Sequence, residues 1–447
     1  MKWCYKVWIF LVAIFCGSII MGSSALATLP GFDPSQMSDM SDFDPATPII
    51  PSGDTIKIGL VEAFSGPSAA MGHMVAINVY WAVHDLNKRG GIFVDGKMKK
   101  IQVILGNSMG KPAMTKKAAE RLILKDKVDI LWGTSGSHTS KIMSQVAKKY
   151  KTIYMNPMSL ADSLHDGNNF SRYTFRTTVN TTMVGKALAY FYAKRPETKF
   201  YILNQDYGFG HAIADAFKKG LKTFKPGAEI VGEVYHPLFS KDFAPYITQV
   251  KSSGAEVIFT GDWDPDASNL IRQARRMGVG LPFANIYADD VMTLKALGPQ
   301  GGVGQVNAND YMISVDTPTN KVWLKAWNDQ WKRGWGEPYD TIRYKWPRGV
   351  ISRLVESTYW LLDVVSRAGS TDPEKIIKVW EGDKWVGFTG TLEMRACDHQ
   401  VVRDIYISEF IFPNKWFKDA ASYGKPVIMP RNIAVSPTPK DLKRCRQ

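Results

Sequence analysis

From Thr55 onward, short apolar runs alternate with longer amphipathic stretches, and this alternation limits the fold more than any other property of the chain. The first unit is residues 56–91, IKIGLVEAFSGPSAAMGHMVAINVYWAVHDLNKRGG. An apolar strand run ends at the turn Ser65-Gly66-Pro67, and an amphipathic helix follows and stops at Gly90-Gly91. The turn is not a glycine-rich phosphate loop, so it points to a small polar ligand more than to a nucleotide. Further strand runs are expected at 101–105, 128–133 and 153–156, with helices at 69–89, 113–125 and 138–150 between them. After a bridging strand near 173–177 the pattern restarts. Strands are expected at 200–204, 230–235, 257–260 and 283–287, and helices at 181–194, 211–223, 243–253 and 265–277. Strict alternation predicts parallel sheets with helices on both faces.

The expected fold class is therefore α/β, with two doubly wound parallel-sheet lobes joined by a hinge. Late helices at 321–332 and 349–367 and a strand pair at 391–394 and 402–407 return the chain to the lobes. The expected division is 55–177 with 310–384 for the first lobe, and 178–309 with 385–412 for the second. Residues 28–54 read as a flexible leader, and 413–447 as a tail without clear elements.

Lys2 and Lys6 flank the start of an apolar run, Val7 to Ile20, that leads to Ala25-Leu26-Ala27. This predicts a signal peptide of residues 1–27, cleaved after Ala27, and export to the periplasm. The alternatives are a retained anchor helix and a lipoprotein acylated at Cys16. Cleavage removes Cys4 and Cys16 and leaves Cys397 and Cys445, which predicts one disulfide pinning the tail, with two unpaired thiols as the alternative. The formal charge of +14 raises nucleic acid as a partner. The basic residues are spread along helices (Lys116-Lys117, Lys148-Lys149, Lys218-Lys219, Arg275-Arg276) with no basic-aromatic platform, so a solvated basic surface is expected and no nucleic acid.

Ligands of open parallel sheets sit outside the carboxyl ends of the strands. Ser137, in Gly133-Thr134-Ser135-Gly136-Ser137, is placed to cap the helix at 138–150 or to touch a ligand at its positive end. Asn156-Pro157-Met158-Ser159-Leu160 follows the next strand and offers backbone amides. In the second lobe, Tyr207 in the turn 204–210 is placed to cover a ligand, and Trp263 in Gly261-Asp262-Trp263-Asp264-Pro265-Asp266 likewise. The alternating acids there suggest calcium, but an EF-hand loop needs Gly at its sixth position and Glu at its twelfth. Those positions hold Ala267 and Gln273, and capping by Asp264 with Pro265 at the first helical position explains the acids without metal. Asp289 and Asp290 follow the last strand, as ammonium partners or as helix caps.

SGPSAAMG with its RGG end, GTSGSHTS, NPMSLADSL, DYGFG, GDWDPDASNLIRQARRMG and RACDHQ occur in this order. In these motifs, over about residues 55–410, the chain resembles the periplasmic substrate-binding proteins of branched-chain amino acid (leucine/isoleucine/valine-type) ABC transporters. The resemblance implies a type I periplasmic-binding-protein fold that captures an amino acid and docks on a membrane permease, with no bond made or broken. It assigns the ligand carboxylate to Ser137 and to backbone atoms of Met158, Ser159 and Leu160, and the amino end to Tyr207, Trp263 and Asp289. It departs from the family pattern at Met71, where an aromatic often lines the pocket, at Leu160, in place of a threonine, and at Trp263, bulkier than the usual tyrosine. Amides, urea derivatives and aromatic carboxylates are the alternative ligands, for uptake or for sensing. No metal or cofactor is expected.

Two enzyme readings compete. Ser135, Asp289 and His399 follow the order of an exported serine hydrolase, but the elbow G-x-S-x-G ends here in Ser137. No strand is followed by the G-x-G-x-x-G of a dinucleotide enzyme.

Overall fold

The computed structural model describes residues 37–287, 289–331 and 334–446. The expected signal peptide, and the leader up to residue 36, lie outside them. Among the described residues no helix is long and apolar enough to cross a membrane.

Two separate sheets form the centres of the two lobes. The first has five parallel strands in the order Ile101–Asn107, Ile56–Glu62, Ile130–Gly133, Ile153–Asn156 and Thr174–Arg176. The second repeats this order with Glu229–His236, Lys199–Gln205, Val257–Phe259, Phe283–Asn285 and Val306–Asn309. In each, the second strand in sequence lies outside the first and the third lies on the other side, which creates a topological switch point. The central strands are apolar because both faces are covered; Ile56, Ile58 and Leu60 are buried, as are Ile130, Leu131 and Trp132.

Helix Gly349–Ala368 returns to the first lobe and packs on Ala69–Lys88 in one core with Trp81, Leu354 and Leu361. The chain then re-enters the second sheet through Ile405–Ile411, antiparallel to Val306–Asn309. The chain thus crosses between the lobes three times. Buried ion pairs tie the crossings together. Asp310 accepts from Arg353 at 2.8 Å and from Thr178 Oγ1 at 3.2 Å, and Arg403 donates to Glu356 at 2.8 Å. Burial opposes ionisation of Asp310, but Arg353 and Arg403 hold its carboxyl below the usual range.

The described part of the expected flexible leader, residues 37–54, is not loose. Met40 and Phe43 are buried in the first-lobe core, with Phe43 edge-on to Trp81 at 5.1 Å. Ser38 donates its N–H to Asp85, and Asp42 pairs with His84 and Lys88. Two isolated apolar residues in a polar segment carry this docking, so periodicity cannot reveal it. The expected structureless tail is also ordered: Val427–Met429 and Ser422–Tyr423 both pair with Ile405–Ile411. Cys397 and Cys445 are bonded, closing the tail over the third crossing. An expected short strand pair is a three-stranded antiparallel sheet, Lys384–Val386, Thr391–Met394 and Val401–Val402. Helix Val291–Gly301, interrupted at Gly298-Pro299, was not expected.

Candidate functional site: a two-lobed cleft

The strands that flank the two switch points end at Glu62 and Gly133 in the first lobe and at Gln205 and Phe259 in the second. Two glycines let these ends approach. Gly133 has φ of +125°, and a Cβ there would lie 2.1 Å from the Val61 carbonyl oxygen. A Cβ on Gly72 would lie 2.2 Å from the Ala63 carbonyl oxygen, so the first turn of helix Ala69–Lys88 reaches this strand end only because position 72 lacks a side chain.

A cleft between the lobes is lined by Met71, Ser135, Ser137, Met158 and Leu160 on one side and by Tyr207, Phe209, Trp263 and Tyr287 on the other. Met71, Ser137, Met158, Leu160, Tyr207 and Trp263 were all expected there from the sequence. Ser135, Phe209 and Tyr287 were not singled out as cleft-lining residues, although the same rule about strand ends applied to them. Ser159 and Asp289 do not line the cleft. Ser159 is buried and donates to the carbonyls of Thr134 at 2.6 Å and Ser135 at 3.2 Å, stitching two strand ends together. Asp289 is buried too. It accepts from Tyr423 Oη at 2.7 Å and from the Gly349 N–H at 3.3 Å, and faces Arg348. The sequence could place Asp289 at a strand end but could not show the tail tyrosine that occupies it.

Gly136, not Ser137, is the N-cap of helix Ser137–Tyr150, and no side chain caps this end. Ser137 is the first helical residue, and its Oγ accepts from the Ala161 N–H at 3.3 Å. No side chain caps the first-turn amides, and Ser137 at this positive end of the helix lines the cleft, an arrangement that favours a carboxylate. The amides of Met158 and Ser159 were also expected to serve the ligand, but both donate to Asn156 Oδ1, at 3.2 and 2.8 Å.

Opposite, Trp263 Nε1–H donates to Tyr207 Oη at 2.8 Å. This fixes both rings and leaves the tyrosine proton for an acceptor in the cleft. Burial pushes the Tyr207 hydroxyl far above its ordinary value and that of Tyr287 up to about 12, so both remain protonated donors. His138 of the first lobe meets Tyr207 edge-on at 6.0 Å, so the two lobes touch at the cleft.

Glu62 organises the base of the site and was not expected. Its carboxyl is fully buried and accepts from the Ala63 N–H, from Ser135 N–H and Oγ–H, and from Thr134 Oγ1–H. Burial pushes it up, against these donors. The hydrolase triad is not assembled. Ser135 is committed to Glu62, Asp289 to Tyr423, and buried His399 to Glu381 and the Thr174 carbonyl. Asp290 is the N-cap of Val291–Gly301, accepting from the Thr293 N–H. Asp264 sits one residue before the N-cap Pro265, not at the cap, and accepts from Ser268 Oγ.

Two sheets of identical strand order, three chain crossings and a cleft at both switch points define a two-lobed binding-protein architecture. Comparison with known sequences agrees: residues 55–413 match the family described as periplasmic binding protein, and the chain belongs to it. It is a binding protein, not an enzyme. A relative, the Leu/Ile/Val-binding protein homolog 6 of Brucella suis biovar 1, is 24% identical over 367 residues, 80% of this chain and 87% of that protein. Solved structures share the fold. The leucine-, isoleucine-, valine-, threonine- and alanine-binding protein of Brucella ovis, in a closed conformation, has a TM-score of 0.75 at 21% identity, covering 87% of this chain and 98% of that one. A solute-binding protein of an ABC transporter from Rhodopseudomonas palustris BisB5, in complex with 3,4-dihydroxybenzoic acid, has a TM-score of 0.72 at 22% identity, covering 85% and 98%.

Proposed function

We propose that the protein is the exported, periplasmic solute-binding component of an ABC importer. It captures a small organic carboxylate by lobe closure and delivers it to a membrane permease. The observation that carries this reading is the uncapped end of helix Ser137–Tyr150, facing the fixed rings of Tyr207 and Trp263 across the cleft. The helix amides and Ser137 hold the carboxylate, and the aromatic pair covers the ligand body. Contacts to both lobes favour the closed state, because a ligand shifts an equilibrium only by its differential affinity for the two states.

The first ligand reading is an amino acid, branched-chain or related. Its ammonium rests against the Tyr207 and Trp263 rings, which line the cleft, and not on Asp289, which Tyr423 occupies. The second reading is an aromatic carboxylate. It is favoured by the cleft lining itself, in which four aromatic side chains and no acid meet. A thermal-shift screen of amino acids and hydroxybenzoates separates the two. A ligand at about 100 times its Kd stabilises the fold by about 2.7 kcal/mol. If no carboxylate raises the melting temperature of folded protein, the proposal fails.

A further inference from the structure

Met71 lines two cavities: the aromatic cleft and, on its other side, a charged chamber. The chamber is also built from both lobes. Ser68 comes from the first-lobe turn, Asp264 and Asp290 from second-lobe strand ends, and Arg343 and Arg348 from the segment that leads into helix Gly349–Ala368.

Arg348 is 4% exposed. Asp289 and Asp290 lie 3.6 Å from its Nη1, and Asp264 lies 3.7 Å away. With Arg343 and Arg272 also lining the chamber its charge is balanced, but the hydrogen bonds of Arg348 are not made. Among the described residues Nε and Nη1 have no hydrogen-bond partner, and Nη2 reaches only Met74 Sδ at 3.6 Å. Oδ1 of Asp289 also lacks a partner. The other guanidinium groups are engaged. Arg343 pairs with Asp290, and Arg272 at the rim donates to Asn269.

We propose that this chamber is the far half of the solute site. It takes a neutral hydrogen-bonding end group, a carboxamide or a urea, whose carbonyl accepts from Arg348 and whose N–H groups donate to the facing carboxylates. The proposal rests on the reading of the cleft as a carboxylate site. Hydrocarbon would leave the buried donors unpaired. Three acids, Asp264, Asp289 and Asp290, already balance the three guanidinium groups of Arg272, Arg343 and Arg348, so a second carboxylate would add an uncompensated charge. Burial, and then Asp290, push the Asp264 carboxyl up to about 6 although Arg348 and Arg343 pull it down, so the cations of the chamber are already offset. A neutral amide satisfies donors and acceptors without changing the charge.

The test is calorimetric titration of the whole mature protein with two matched series: L-norleucine, L-glutamine and L-glutamate; and 4-ethylbenzoate, 4-carbamoylbenzoate and terephthalate. The amide member of a series is expected to bind at least about tenfold tighter than its hydrocarbon and dicarboxylate analogues. Arg348→Lys keeps the cation and removes the guanidinium fork, and is expected to erase that preference. Equal or tighter binding of the hydrocarbon or the dicarboxylate overturns the proposal, and so does an amide preference that survives in folded Arg348→Lys. Should that variant misfold, the wild-type ratios decide. If only the benzoate series binds, the amino-acid reading falls and the chamber is judged within that series. If neither binds, both fall.

Discussion

The aromatic cleft and the charged chamber share Met71 as a wall but are built differently. The cleft is made of residues that directly follow strands: Ser135 and Ser137 after Ile130–Gly133, Tyr207 after Lys199–Gln205, and Trp263 after Val257–Phe259. The chamber joins two second-lobe strand-end acids, Asp264 and Asp290, to Arg343 and Arg348 from the segment that leads into helix Gly349–Ala368, and its core is a guanidinium surrounded by carboxylates. A cleft of strand ends supplies shape and a carboxylate cradle. A chamber of balanced but unbonded charge supplies discrimination, because unpaired buried donors penalise the wrong ligand more than paired ones reward the right one. Affinity is therefore expected to reside in the cleft and selectivity in the chamber.

The largest effect is expected at Trp263. Trp263→Ala removes the indole and the N–H that fixes Tyr207, and binding should weaken about 100-fold, or about 2.7 kcal/mol. A calorimetric loss smaller than that of a chamber substitution would reverse the assignment. Ser137→Ala comes next, with an expected loss of about tenfold. The loss should be confined to ligands with a free carboxylate; an equal loss for a methyl ester would remove Ser137 from the cradle.

A third prediction concerns pH. Burial and Asp290 hold the carboxyl of Asp264 in the folded state at about 6, above its ordinary value of 3.8. The folded state thus binds this proton more tightly than the unfolded state. Its contribution to stability is complete below the unfolded value and is lost as pH rises through about 6. Between pH 5 and 7.5 the wild type should therefore lose stability through this residue, on the order of 1–2 kcal/mol. Asp264→Asn should flatten that decline in thermal melts, whereas parallel profiles for the two proteins would show that the chamber does not strain Asp264. The smallest effect is expected at Met71. Met71→Ala joins the two compartments and should change affinity for a short carboxylate by only about threefold. It should relax the length preference across a series of ω-amides. A large affinity loss would show that Met71 holds the ligand rather than only dividing the two compartments.

How legible each compartment was in the sequence follows from how each is built. Parallel strands buried on both faces leave continuous apolar runs, so Ile130–Gly133, Lys199–Gln205 and Val257–Phe259 could be read directly, and with them the positions of Ser137, Tyr207 and Trp263. The partners of a buried carboxylate leave no such trace. Asp289 was visible at a strand end, but its bond to Tyr423 depends on a tail strand too short to show a period. Ser159 stood in a recognisable turn, yet its hydroxyl is turned onto the neighbouring strand end. Arg348 carried no motif at all. Its importance lies in three acids folding around it. Phe43, one aromatic in a polar leader, docks on Trp81 by the same kind of non-local contact.

The central claim is that the end of helix Ser137–Tyr150 holds a carboxylate while the opposite lobe covers it. A side-by-side titration of the wild-type protein with a bound carboxylic acid and its methyl ester tests this most directly. The account predicts that the ester binds at least about tenfold more weakly. Equal affinities would contradict it.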